Sequence, residues 1–146
     1  MKKAIYSLVI LLAMSTAALA QCKGLVKKNM TKLAPYTHNG QLNSANLKKG
    51  GALKIQISCY TGMGYRLAVC GDDALGKLVF RVLDETGHEV FNSSTNNNVA
   101  SWDFNVGTSQ ELTVEITAPN ADAAANGCAA LLVGFREPTS VAGRPM

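Results

Sequence analysis

Hydrophobic and polar residues alternate along much of the chain after Pro35, which is the pattern of β-strands buried on one face. In residues 53–59, Leu53, Ile55, Ile57 and Cys59 share one face, while polar side chains occupy the other. Residues 129–135 are apolar on both faces, which is typical of a strand covered on both sides. The patterns predict about eight strands, at residues 41–47, 53–59, 65–70, 77–84, 89–92, 102–106, 112–117 and 129–135.

Turn signals separate these predicted strands. Gly62-Met63-Gly64 follows the second strand, and Glu85-Thr86-Gly87 predicts a hairpin that brings residues 89–92 back onto residues 77–84. Short strands at intervals of roughly 8–12 residues are typical of antiparallel two-sheet β-sandwiches. We therefore predict a mainly β fold, a jelly-roll-like sandwich over residues 35–136, followed by a flexible tail over residues 137–146.

Before Pro35 the hydrophobic period is that of a helix. One face would carry apolar side chains and the other lysines, which predicts a short amphipathic helix within residues 21–34 that Pro35 ends. Such a helix could lie on a membrane surface. Because it is short and only moderately apolar, we expect it to dock on the sandwich with its lysines in solvent. The docked face would consist of Cys22, Leu25, Val26, Met30 and Leu33.

The first twenty residues have the three parts of a secretory signal peptide: Lys2 and Lys3, an apolar run over residues 4–14, and a small-residue site ending at Ala20. Cleavage before Gln21 would leave 146 − 20 = 126 residues, the size of one domain. The chain is thus expected to be exported to the periplasm or the cell surface. Lipidation of Cys22 is an alternative. Gln21 argues against it, because the residue before a lipidated cysteine is normally small.

Charged residues are distributed unevenly along the chain. Residues 21–71 contain eight lysines and arginines and no acidic residue, whereas residues 72–146 contain four basic and ten acidic residues. Such segregation can produce a basic face for an anionic partner. The favoured interpretation is that the two halves interleave and neutralise each other. The lysines lack the arginine clusters and interleaved exposed aromatics of nucleic-acid-binding proteins, so no nucleic-acid partner is expected.

The four cysteines all follow the predicted signal peptide, and an even number in an exported chain predicts disulfides. Cys22 would lie on the apolar face of the helix and Cys59 on the core face of its strand, so we predict a Cys22–Cys59 bond. Cys70 ends one strand and Cys128 begins another, which predicts Cys70–Cys128. A Cys59–Cys70 bond across the Gly62 turn is the alternative.

The chain carries no recognisable catalytic or metal-binding motif, and we expect no cofactor. Asp72 and Asp73 lack the alternating spacing of a calcium loop. A small hydrolase using two of the carboxylates of Asp72, Asp73, Asp84 and Asp103 is one alternative. Another is a carbohydrate-binding module, with ligand contacts drawn from Trp102, Tyr36, Tyr60 and Tyr65. Trp102, however, alternates with Phe104 and Val106, as a core-facing residue does.

Several stretches resemble small exported β-sandwich proteins of Bacteroidota over residues 36–136. They include residues 65–71, Trp102-Asp103-Phe104, residues 110–114, Gly127-Cys128 and residues 132–135. More distantly the chain is similar to the pre-peptidase C-terminal domains of secreted proteases. Those domains are non-catalytic accessory modules, so the resemblance favours a protein that is not an enzyme, but it does not carry over their accessory role to proteases. The sequence therefore favours a non-enzymatic binding or accessory subunit of a cell-envelope assembly, with an envelope protein or a glycan as partner and no membrane span.

Overall fold

The computed structural model describes residues 22–138, so that the predicted signal peptide (residues 1–20) and residues 139–146 of the predicted tail lie outside it. Two antiparallel sheets form the described part, which confirms the predicted mainly β fold. Nine strands make up these sheets: β1 Thr37–His38, β2 Asn43–Lys48, β3 Ala52–Cys59, β4 Gly64–Gly71, β5 Val79–Leu83, β6 Glu89–Asn92, β7 Ser101–Asn105, β8 Gln110–Thr117 and β9 Asn126–Arg136.

Sheet A is built around β9, which pairs with β4 on one side and with both β1 and β2 on the other, while β7 pairs with the far edge of β4. Sheet B has the order β3-β8-β5-β6. β9 is covered on both faces, as its apolar sequence predicts. Ala129, Leu131 and Val133 enter the core between the sheets, whereas Ala130 and Leu132 face outward, where a second cluster covers them.

The strands with strict alternation lie where the pattern places them. β3 and β8 pair over eight residues each, and Ile55, Ile57 and Cys59 point into the core between the sheets. The predicted hairpin between β5 and β6 is also present. β1 was not predicted, because two residues are too few to show a period. Thr37 and His38 are strand residues only because Phe135 and Gly134 pair with them.

The aromatic residues of β7 face the core, as their alternation predicts. The ring of Trp102 stacks between Phe91 and Phe104, at centroid distances of 4.6 and 4.4 Å. Trp102 and Phe104 are only half-buried. The reason is their position, since β6 and β7 are edge strands and these rings close the side of the sandwich between them.

The N-terminal helix covers residues 22–29 and continues as a 3-10 turn, Met30–Leu33. It packs against the outer face of sheet A, where Val26 and Leu33 are 2% exposed and contact the cluster that contains Ala68 and Ala130. The small alanine side chains allow the helix to approach the strands closely. Its four lysines are exposed, so the predicted docking is confirmed. Among residues 22–138, no helix has the length and apolar character needed to cross a membrane.

The position of the helix makes both predicted disulfides wrong. Within residues 22–138, which include all four cysteines, one disulfide is present, Cys22–Cys128, with a Cα–Cα distance of 5.4 Å, while Cys59 and Cys70 are free and buried. The prediction assumed that the helix caps the core that Cys59 faces. The helix instead lies on the opposite face of sheet A, which Cys128 shares with Ala130 in the alternation of β9. Cys70 is opposite Ala130 rather than Cys128 in the strand register.

Arg66 fastens the end of the helix to sheet A. Its guanidinium donates two hydrogen bonds to the Asp103 carboxylate, both of 2.7 Å, and another of 2.8 Å to the carbonyl oxygen of Ala34. It also covers the ring of Tyr36, 4.7 Å from the ring centroid. Gly134 is required beneath Tyr36, because a Cβ atom there would lie 2.7 Å from the Cβ of Tyr36.

This arrangement predicts a specific pH dependence of stability. Hydrogen bonds from Arg66 lower the pKa of Asp103. The carboxylate therefore stabilises the fold above its unfolded pKa, and this contribution is lost as the pH falls below about 4. R66Q should lower the free energy of unfolding by about 1 kcal/mol at pH 7, because the pair is partly exposed. In denaturant unfolding, the free energy of unfolding should fall less for R66Q than for wild type when the pH is lowered from neutral to acidic. K23Q is the control and should behave like wild type. Parallel pH profiles for R66Q and wild type would show that Arg66 does not stabilise the ionised form of Asp103.

Candidate functional site

A groove of about 420 Å³ opens where β3, an edge strand of sheet B, faces the connection between β1 and β2 of sheet A. Met63 and Phe135 provide an apolar part of its wall. The remaining lining residues are polar or aromatic: Asn39, Gln41, Gln56, Ser58, Tyr60 and Tyr65. We call this site the β3 groove.

Tyr60 stands at the mouth of the β3 groove and is 63% exposed. Its backbone is nevertheless held firmly, because its N–H donates a 2.9 Å hydrogen bond to the Tyr65 hydroxyl. The following turn is fastened to the segment before β8. The N–H groups of Thr61 and Ser109 each donate to the other residue's hydroxyl oxygen, at 2.9 and 2.8 Å. The groove thus presents an exposed aromatic ring on a well-supported backbone.

Tyr65 forms the buried end of the groove. It is 5% exposed, and its ring stacks against Phe104 at a centroid distance of 5.6 Å. Burial raises the pKa of Tyr65, against a smaller lowering by the hydrogen bond from Tyr60. The phenol is therefore neutral at physiological pH, and its oxygen holds the Tyr60 backbone rather than carrying a charge.

Two neutral amides in the groove are available to a ligand. Within residues 22–138, the side chains of Gln41 and Gln56 make no hydrogen bond to the protein, whereas the Asn39 side-chain oxygen accepts one of 2.9 Å from the Gln41 N–H. The Ser58 hydroxyl donates to Glu111. Each free amide offers both donors and an acceptor. Beside the tyrosine ring they can hydrogen-bond a neutral polar ligand while its apolar side packs on the ring.

An acidic depression adjoins the groove on the other side of Tyr60. It has a volume of about 230 Å³, and Glu85, Ser109 and Glu111 contribute to its lining. The two glutamates are held together, since the backbone N–H of Glu111 donates a 2.9 Å hydrogen bond to the Glu85 carboxylate. Tyr60 therefore separates a neutral groove from a negatively charged depression.

Of the four aromatic residues predicted as ligand contacts, the structure brings two together in the β3 groove, Tyr60 and Tyr65. Tyr36 lies on the outer face of sheet A, where the guanidinium groups of Arg66 and Arg136 are 4.7 and 4.9 Å from its ring centroid. Trp102 lies in the aromatic stack with Phe91 and Phe104. Sequence reasoning missed Gln41 and Gln56. The usable signal was that Gln56 points outward from β3 shortly before Tyr60.

The four aspartates of the hydrolase alternative take part in separate local contacts. Asp72 accepts a 2.7 Å hydrogen bond from the Cys128 N–H, and Asp103 binds Arg66. Asp84 accepts from the Thr86 hydroxyl and from backbone N–H groups of its turn, and these hydrogen bonds lower its pKa. Asp73 lies in the 3-10 turn before β5. In the part of the chain that the structure describes, no three His, Cys, Asp or Glu side chains form a metal-binding group.

The chain matches no protein-family model and no curated protein sequence. Among solved structures it is similar to Aeromonas hydrophila PliG, a periplasmic lysozyme inhibitor of g-type lysozyme. The identity is 14%, the alignment covers 65% of this chain and 88% of PliG, and the TM-score is 0.44. A similarity of this size assigns neither a family nor a ligand.

Proposed function

We propose that this protein is an exported, non-enzymatic binding module, acting as an accessory subunit of a cell-envelope assembly, and that it binds its partner through the β3 groove. The observation that carries the proposal is Tyr60, a largely exposed ring on a hydrogen-bonded backbone at the mouth of a polar groove. The predicted signal peptide and the Cys22–Cys128 disulfide support export, because disulfides persist in oxidising compartments.

The construction of the groove supports a binding role. A tyrosine buries a large area on binding and has few side-chain torsions to immobilise, so it contributes affinity at a low entropic cost. The hydrogen bonds around Thr61 and Ser109 hold the Tyr60 segment in place before any partner arrives. Such preorganisation reduces the entropic cost of ordering the Tyr60 segment when a partner binds.

A glycan is the second candidate for the ligand, and the neutral side chains of the groove favour it. Gln41 and Gln56 provide paired donors and acceptors that suit sugar hydroxyls, and the Tyr60 ring can pack on the apolar face of a pyranose. A glycan would need the amides as much as the ring. A protein partner would depend mainly on Tyr60, since tyrosines are frequent hot spots of protein interfaces.

Y60A should strongly reduce partner recovery without unfolding the protein. In a crosslinked pull-down from the native envelope fraction, wild type is expected to recover a stoichiometric protein, and Y60A about 30-fold less, the loss typical of one hot-spot residue. The melting temperature should change little, because the ring is largely exposed. V90A is the matched control, since Val90 is an exposed apolar residue of β6, outside the groove.

Two outcomes would overturn parts of this proposal. Equal recovery by Y60A and V90A would mean that the β3 groove is not the binding surface. If wild type recovers no protein but binds an immobilised glycan array, and both Y60A and Q56A lose that binding, the carbohydrate-binding module replaces the accessory subunit.

A further inference from the structure

A second cavity, of about 350 Å³, lies on the outer face of sheet A beside the N-terminal helix. Three lysines line it. Lys28 and Lys32 come from successive turns of the helical segment, and Lys77 comes from the loop before β5. Asn29 and Asn98 also line the cavity, and the Asn29 amide donates a 2.8 Å hydrogen bond to the carbonyl oxygen of Leu25. We call this site the lysine cavity.

The lysine cavity carries a net positive charge. Within residues 22–138, the ion pairs involve Lys54, Arg66 and Arg81, so none of the three cavity lysines has a carboxylate within 4.0 Å. Asp73 also lines the cavity, which leaves three positive charges and one negative charge around it. Ammonium groups that surround one space repel each other, and an anion placed between them relieves this repulsion.

The cavity also has an apolar side. Leu25 of the helix and Leu78 of the loop before β5 line it, together with the free thiol of Cys70, which is 7% exposed. Burial raises the pKa of Cys70, the charge of Lys32 lowers it, and the carboxylate of Asp72 raises it.

The backbone at the rim of the cavity has an uncommon conformation. Asn97 and Asn98 have φ angles of 59° and 51°, in the left-handed region that residues other than glycine rarely adopt. The Asn98 N–H donates a 2.8 Å hydrogen bond to the carbonyl oxygen of Ser93, which holds the loop in this shape. Asparagine adopts this region more readily than most other residues that carry a Cβ atom. This conformation places Asn98 in the lining of the cavity.

We propose that the lysine cavity binds a phosphate monoester attached to an apolar group. The phosphate dianion lies among Lys28, Lys32 and Lys77. Its two negative charges suit these three lysines better than the single charge of a carboxylate would. The apolar group packs on Leu25 and Leu78. The source of the phosphate is either a free metabolite or a lipid headgroup, since both offer the same chemistry. The proposal is independent of the β3 groove, because the two sites have no lining residue in common.

Calorimetry with hexyl phosphate on the disulfide-bonded protein tests this proposal. K28Q/K32Q should bind at least about tenfold more weakly than wild type, because two charge-assisted contacts are lost. K23Q/K27Q is the matched control: it removes the same charge from the same helix, but neither lysine lines the cavity. The control should bind within about twofold of wild type, since an exposed charge outside the site is largely screened. Equal weakening of both variants, or no binding to wild type, would overturn the proposal.

Alkylation of the free thiols gives a second readout that a general charge effect would not produce. Hexyl phosphate should slow the reaction of N-ethylmaleimide with Cys70 and leave Cys59 unchanged, because Cys59 lies in the core between the sheets. If binding occurs but Cys70 is not protected, the ligand lies elsewhere and the proposal is wrong.

Vesicles of phosphatidic acid and phosphatidylcholine in equal parts separate the two sources. Vesicle binding that K28Q/K32Q loses and K23Q/K27Q retains would support a lipid headgroup. Hexyl phosphate binding with no cavity-specific vesicle binding would support a free metabolite. Both results require Lys28 and Lys32.

Discussion

Replacing Cys22 and Cys128 with alanine is expected to lower the free energy of unfolding by about 4–5 kcal/mol, the largest effect that we predict for this protein. The disulfide joins residues 106 positions apart, and a crosslink across so long a loop strongly restricts the unfolded chain. Urea unfolding of wild type and C22A/C128A under non-reducing conditions measures the difference. The same loss should follow reduction of wild type.

C70A provides the control for this experiment. Cys70 lies on the same face of sheet A as Cys128, but its thiol is free, so its replacement should remove only a small packing contribution of about 1 kcal/mol. Peptide mapping of the oxidised protein should recover Cys22 linked to Cys128. A lipid adduct on Cys22, or destabilisation by C70A as large as that by C22A/C128A, would contradict the assigned bond.

L33A is expected to destabilise the protein by about 3 kcal/mol, the second largest effect. Leu33 is 2% exposed and packs with Val26 against the outer face of sheet A. Truncation leaves a cavity at the junction between the helix and the strands, where little else can fill the space. The change is measured from urea unfolding with the disulfide intact, so that only the packing differs from wild type.

Lys32 supplies the neighbouring control, because its side chain is exposed. K32A should change stability by less than about 0.5 kcal/mol. If L33A were as stable as K32A, the helix would not contribute its apolar face to the fold, and the interpretation of that face as a membrane-binding surface would regain support.

The strands could be predicted because their faces differ so sharply in polarity. In β3 and β8, polar residues occupy every second position, so the sequence shows both the strand and the face that is buried. The continuous apolar run of β9 also indicated that both faces of this strand are buried, because Ala130 and Leu132 on one face are as apolar as Leu131 on the other. β1 could not be predicted in this way, because its two residues form a strand only through pairing with β9.

The disulfide could not be deduced from periodicity, because periodicity shows that a face is buried but not which element buries it. Cys22 and Cys59 were each assigned to an apolar face correctly, yet the two faces lie on opposite sides of sheet A. The β3 groove was hidden for a related reason. Gln41 and Gln56 are far apart in the sequence, and they meet only because an edge strand of one sheet faces a connection in the other.

The charge asymmetry has a mixed outcome. Lys54 and Arg66 come from the basic half of the chain, and they pair with Glu115 and Asp103 of the acidic half, as the interleaving interpretation predicts. The lysines of the helix have no such partners among the described residues. The helix therefore presents a basic face that no carboxylate of the described residues pairs with.

The central position of β9 has a consequence for biogenesis. Of the nine strands, β9 is synthesised last, yet β1, β2 and β4 all pair with it. Until β9 emerges from the ribosome, sheet A lacks its central strand, and the helix has only part of its docking surface. Cys128 lies within β9, so the crosslink to Cys22 must also wait. We therefore expect the nascent chain to lack sheet A and the docked helix while it is translated, although sheet B does not need β9. Such an incomplete fold favours passage through a secretion channel for unfolded polypeptides.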